Sequence, residues 1–134
     1  GQTMDPAVRR RQLTQLIGST EGALAMYNKH VREISDTYRT YLFAVMTPLV
    51  KNVYVSLLTH YNSESQKLLH AYDTRIKTLA PTFYEYIGSK PISSFLGFQY
   101  IDYWRKHPHL SINTIRLFSG IYLCILKTKE FLRK

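Results

Sequence analysis

At 134 residues, with 45% hydrophobic and 20% charged side chains, the chain is long enough to bury a core and too apolar to be disordered. Its one cysteine, Cys124, excludes an internal disulfide and a multi-cysteine zinc site, and suits a reducing, intracellular compartment. A formal charge of +9 favours anionic partners: an acidic protein, an acidic lipid surface or nucleic acid.

Gly1-Gln2-Thr3 stand before Met4-Asp5-Pro6 and read as an appended scar ahead of a native start. One helical domain is therefore expected over residues 4–134. Arg9-Arg10-Arg11 precede "QLTQLIGSTEG", which is too polar for the apolar centre of a secretory signal. Asp5 as N-cap and Pro6 at the first helical position start a helix. An apolar series follows at alternating spacings of three and four: Ile17, Thr20, Leu24, Tyr27, Val31, Ile34, Tyr38, Tyr41 and Val45. It lasts about four heptads, long enough to count as a seam. Gly18 and Gly22 bracket "GSTEG", and each costs about 1 kcal/mol against alanine in a helix interior. Residues 5–17 are thus readable either as a separate short helix or as the start of a long one.

Past Val45 the seam changes phase. Its continuation would fall on Pro48, Asn52, Val55, Thr59 and Asn62, which are mostly polar, whereas the apolar series resumes at Leu49, Val53, Leu57, Tyr61, Leu68, Tyr72, Ile76 and Leu79. Thr47-Pro48 suits a new helix start or a kink. A boundary or kink is expected there, with Val45 and Leu49 both pointing inward. A second long helix is expected from Pro48 to Leu79, with Asp73 among the residues of its polar face. It ends at Ala80-Pro81, because the residue before proline avoids helical geometry. A short helical stretch "PTFYEYIG" and a loop "GSKP" follow.

Ser93 or Ser94 can cap a helix "SSFLGFQYIDYW" that stops before Pro108, and Ser111 can cap a last helix reaching Leu132. Both are apolar almost all round, as buried or embedded helices are. The fold expected is all-α: an elongated bundle with long helices broken or kinked near Thr47-Pro48 and two hydrophobic C-terminal helices.

Spanning a bilayer takes about 20 mostly apolar residues. Eleven uncharged residues separate Arg39 from Lys51 and ten separate Arg116 from Lys127, so no span is expected. A peripheral membrane reading survives for residues 92–126, with Phe95, Phe98, Tyr103 and Trp104 inserting beside the basic corner "RKHPH". The preferred reading makes these two helices core elements instead.

The acidic residues are scattered, with no paired set suited to acid–base work. His60–Glu64, one turn apart, and His107 with His109 fall short of the three or four ligands a zinc site needs. Cys124 sits among apolar residues and reads as a buried small hydrophobe. No phosphate loop or dinucleotide fingerprint appears. Neither enzyme chemistry, cofactor nor metal is expected. Basic residues group better: Arg9, Arg10 and Arg11; Arg105 and Lys106; Lys127, Lys129 and Arg133. They are the candidate anion-binding set.

The function expected is a non-enzymatic helical interaction module. It would self-associate or dock a partner helix through Leu24, Tyr27, Val31, Ile34, Tyr38, Tyr41 and Val45, and turn a basic surface to an anionic partner. The alternatives are peripheral binding to acidic lipid and, less favoured, single-stranded nucleic-acid binding with Tyr100, Tyr103 and Trp104 stacking on bases.

Overall fold

The computed structural model describes residues 5–59, 62–89, 94–95, 98–107 and 112–133. The fold is an all-α helical bundle. Helix α1 (Pro6–Lys29) starts as its sequence dictates, with Asp5 Oδ1 accepting from the Ala7 N–H at 2.8 Å. It runs unbroken through Gly18 and Gly22, where an added Cβ would meet nothing within 4 Å. "GSTEG" is therefore one open-sided turn and not a break.

The seam is interrupted earlier than its periodicity implies. A turn at residues 30–35 separates α1 from α2 (Asp36–Thr59). The Ser35 hydroxyl accepts from the Tyr38 N–H at 3.2 Å, and its carbonyl accepts from the Arg39 N–H at 2.9 Å. Ser35 followed by Asp36 is a helix-start signal that the heptad spacing obscured.

The boundary expected at Thr47-Pro48 does not occur, because Pro48 lies inside α2. The ring is exposed, so the Ala44 carbonyl it deprives of a donor lies on the hydrated side of the helix. The Thr47 hydroxyl donates to the Phe43 carbonyl at 2.6 Å, on the buried side. Nor do Val45 and Leu49 point inward; they are 43% and 41% exposed. Phe43, Met46, Val50, Val53, Tyr54, Leu57 and Leu58 take the core face instead. By length and composition α2 is apolar enough to cross a membrane, contrary to the expectation from charge spacing, though 44% of that stretch is buried within the bundle. A core helix passes the same test.

The long second helix is in fact two. Asn62 caps α3 (Ser63–Leu79) through a capping box: its Oδ1 accepts from the Ser65 N–H, and Ser65 Oγ accepts from the Asn62 N–H. The new start shifts the register, so Leu69 is fully buried and Leu68 is exposed. Ala80 ends α3 and Pro81 opens α4 (Pro81–Ser89) as expected. Beyond it, the single helix expected from residue 93 is replaced by a two-residue antiparallel ladder, Ser94–Phe95 with Phe98–Gln99, and a short α5 (Tyr100–Lys106). The last helix, α6 (Ile112–Arg133), packs against α2.

The tyrosine-rich composition has a packing explanation. Phe43 stands edge-on to Tyr27 and Phe83 at 5.6 and 5.1 Å, and Tyr54 stands edge-on to Tyr72 and Trp104 at 5.7 and 6.4 Å. Tyr72 and Thr20 share a buried 2.7 Å hydrogen bond that ties α3 to α1. The Thr20 hydroxyl donates back to the Leu16 carbonyl, which leaves Tyr72 as donor to Thr20. Of the C-terminal helices, α5 supplies Ile101 and Trp104 to the core, while α6 supplies Ile115.

Candidate functional site

The structure divides the expected seam into two unlike parts. Leu24 and Tyr27 are buried in the chain's own core, and Val31 and Ile34 pack partly against it. None of these four offers an open face to a partner. Tyr38, Tyr41 and Val45 are 53%, 66% and 43% exposed, and Leu49 continues their line. At about 100° per residue these four fall on one outer arc of α2, roughly opposite the core-facing residues. Between Arg39 and Lys51 the helix carries no charged side chain. The arc is a firm platform, since the same helix buries its other residues in the core and contacts α1, α3, α4 and α6.

The candidate anion-binding residues separate as well. Arg105 is withdrawn from the set. Its side chain is 8% exposed and its Nε donates to Asp73 Oδ1 at 2.9 Å. Nη1 donates to the Tyr84 carbonyl at 2.7 Å and Nη2 to the Tyr54 hydroxyl at 3.1 Å. The guanidinium lies 3.5 Å from the Tyr84 ring centre, a close cation–π contact. The Tyr54 hydroxyl completes the cluster by donating to Asp73 Oδ1 at 2.5 Å. Asp73 is thus part of an interior clamp joining α2, α3, α4 and α5, and not of a solvated helix face. Burial pushes the Tyr54 phenol well above its ordinary value, against the lowering pull of Arg105. Burial alone would lower Arg105, but Tyr54 and Asp73 outweigh it and hold its pKa above the ordinary value.

Gly88 belongs to this clamp. A Cβ there would stand 2.6 Å from Arg105 Nη1, whose position three directional bonds fix. Gly88→Ala is expected to lower unfolding stability by about 1–3 kcal/mol, the usual cost of overpacking a filled site. Urea denaturation followed by circular dichroism checks it, and an unchanged midpoint would show that the guanidinium has room to move.

The other cations remain at the surface. Arg10 and Arg11 are exposed, and Arg9 and Arg10 line a cleft of about 710 Å³ between the start of α1, the end of α2 and the start of α3. Lys106 is exposed and paired with Asp102 at 2.9 Å. Lys127, Lys129 and Arg133 are exposed on α6.

Among the expected insertion residues, Trp104 is 2% exposed, with its ring centre 4.9 Å from that of His70 at a tilt of 39°, and is a core residue. It is unavailable to lipid or to a nucleobase. The side chains of Phe95, Phe98, Tyr100 and Tyr103 lie outside the described residues, as do residues 1–4, His60 and His109. Among the described residues no three His, Cys, Asp or Glu side chains come together. Cys124 is exposed, not buried, because it lies on the side of α6 opposite the buried Ile115. The chain has no match to a family model, to a curated protein or to a solved structure.

Proposed function

We propose that the chain is a non-enzymatic helical module that self-associates through the outer face of α2. The observation that carries this reading is the uncharged stripe of Tyr38, Tyr41, Val45 and Leu49, exposed on a helix whose other side is fixed in the core. Exposed aromatic and aliphatic residues in one line suit a helix-on-helix interface better than they suit solvent. A second copy suits the stripe because its surroundings are close to neutral. Asp36 and Arg39 pair with each other at 3.4 Å at one end, Lys51 stands past the other, and most of the chain's positive excess lies on other elements. Two copies can therefore bring α2 against α2 about a twofold axis without facing like charges.

Light scattering tests it directly. The parent chain is expected at twice its protomer mass, and Tyr41→Glu with Val45→Glu is expected to give monomers. Carboxylates placed in an apolar interface weaken association by about a hundredfold or more. Both positions are exposed, so the double variant should keep the parent's helix content. A monomeric parent at all concentrations, or a dimer untouched by the substitutions, would defeat the reading.

A further inference from the structure

The geometry points to a second surface of different chemistry: the outer face of α6 is a docking face for an anionic lipid surface. Leu117, Ile121, Phe131 and Leu132 are 63%, 44%, 77% and 76% exposed. At about 100° per residue these four, with Cys124, fall within an arc of roughly 100°. Ile115, buried in the core, sits on the opposite side of the helix. The helix is thus apolar on two sides. One side is satisfied by the bundle, and the other stays exposed among the described residues.

Charge says what covers it. Lys127 and Lys129 project on either side of the arc, and Arg133 lies beyond Lys129, all exposed. Glu130, the acidic residue of this helix, projects away from the arc. An apolar strip edged by lysines and arginines is the pattern of a helix lying in a membrane interface, with its cations reaching acidic headgroups. Between Leu117 and Leu132 the polar side chain on the arc is Thr128, and it is already satisfied, since its hydroxyl donates to the Cys124 carbonyl at 2.9 Å. The strip therefore brings no unpaired hydroxyl into the acyl region. A second copy is disfavoured here, unlike at α2. Pairing α6 with α6 would set Lys127, Lys129 and Arg133 of two chains with +9 each along one rim. The contact is independent of self-association through α2.

The experiment uses the full chain labelled at Cys124, its one cysteine, with an environment-sensitive fluorophore. Vesicles are phosphatidylcholine with or without phosphatidylserine. The expected result is co-sedimentation and a blue-shifted emission with the acidic vesicles only, both lost at high salt. Lys127→Ala with Lys129→Ala should weaken binding roughly thirtyfold. Phe131→Glu with Leu132→Glu should abolish it, and Leu117→Glu, at the far end of the strip, should weaken it independently. Circular dichroism should be unchanged in all three, because every substituted side chain is exposed. Equal recovery on neutral and acidic vesicles would overturn the proposal. So would binding without an emission shift, or any of these variants binding like the parent. A fall in solution mass on Phe131→Glu with Leu132→Glu would also overturn it, assigning the face to a protein contact.

Discussion

Replacing Arg105 with alanine should remove about 3–5 kcal/mol of unfolding stability, the usual cost of breaking a buried ion pair on one side only. Against a total of about 5–15 kcal/mol for a domain of ordinary stability, that is at least about a fifth of the whole. The cost has three sources. Asp73, 16% exposed, keeps a charge with no cation beside it. The Tyr84 carbonyl loses its 2.7 Å donor, and the Tyr84 ring loses the plane stacked on it. Arg105→Lys should rescue little, because an ammonium cannot reach Asp73, the Tyr84 carbonyl and Tyr54 in one fork. Urea unfolding with Trp104 fluorescence reads the loss, since Trp104 neighbours Arg105 in α5 and is the one tryptophan. Removing both charges, as Arg105→Met with Asp73→Leu, should cost less than the two single changes added together. Additive losses would mean that the two side chains act separately, and the clamp described above would be wrong.

The second large effect is alkaline. Burial raises the phenols of Tyr54 and Tyr72 well above their ordinary value, with the Thr20 hydrogen bond pulling Tyr72 back only in part. Below about pH 10 both folded and unfolded chains hold these protons, and stability is flat on their account. Above it the unfolded chain releases them and the folded chain does not. The contribution is lost steadily until pH passes the folded values. Each tyrosine removes about 1.4 kcal/mol per pH unit in that window, so the pair removes about 3 kcal/mol per unit. Tyr84 shifts in the same direction but is only half-buried, so solvent screening reduces its share. Urea midpoints taken between about pH 8 and pH 11 should be level and then fall steeply. Tyr72→Phe should halve the slope at little cost near neutrality, because the Thr20 hydroxyl still donates to Leu16. A level midpoint across the whole range would show that water reaches both phenols in the folded state.

The all-α class was legible in the sequence, and so were the helix starts at Asp5-Pro6 and Pro81 and the core positions at Val53, Leu57, Tyr72 and Ile76. Each rests on a local rule: proline geometry, a cap, or a spacing of three and four. What misled was continuity. A heptad series carried across residues 30–35 and 60–62 hid two caps, Ser35 and Asn62, that were written in the chain. At Pro48 only the boundary, one of the two expectations there, is overturned, because an exposed face tolerates the freed carbonyl within a continuous helix. The clamp was not legible at all. Asp73 and Arg105 stand 32 positions apart, each looks like an ordinary surface charge, and only the meeting of four helices makes them partners. The candidate surface was half legible: Tyr38, Tyr41 and Val45 belong to the expected seam, but nothing in their spacing told them from Leu24 and Tyr27, which the core absorbs. Cys124 was placed on the wrong side of the surface, while Trp104 lies in the core, as the preferred reading of its helix had it and the membrane alternative did not. Hydrophobicity alone does not say which apolar side of a helix finds a neighbour.

Helix α2 divides its labour by face, and this matters over generations of sequence change. The residues that hold the bundle, from Phe43 to Leu58, and those turned outward, from Tyr38 to Leu49, interleave along one helix yet share no side chain. Substitutions can accumulate at Tyr38, Tyr41, Val45 and Leu49 with little selective penalty from misfolding. The chemistry of this surface is therefore free to drift between lineages while the architecture beneath it stays fixed.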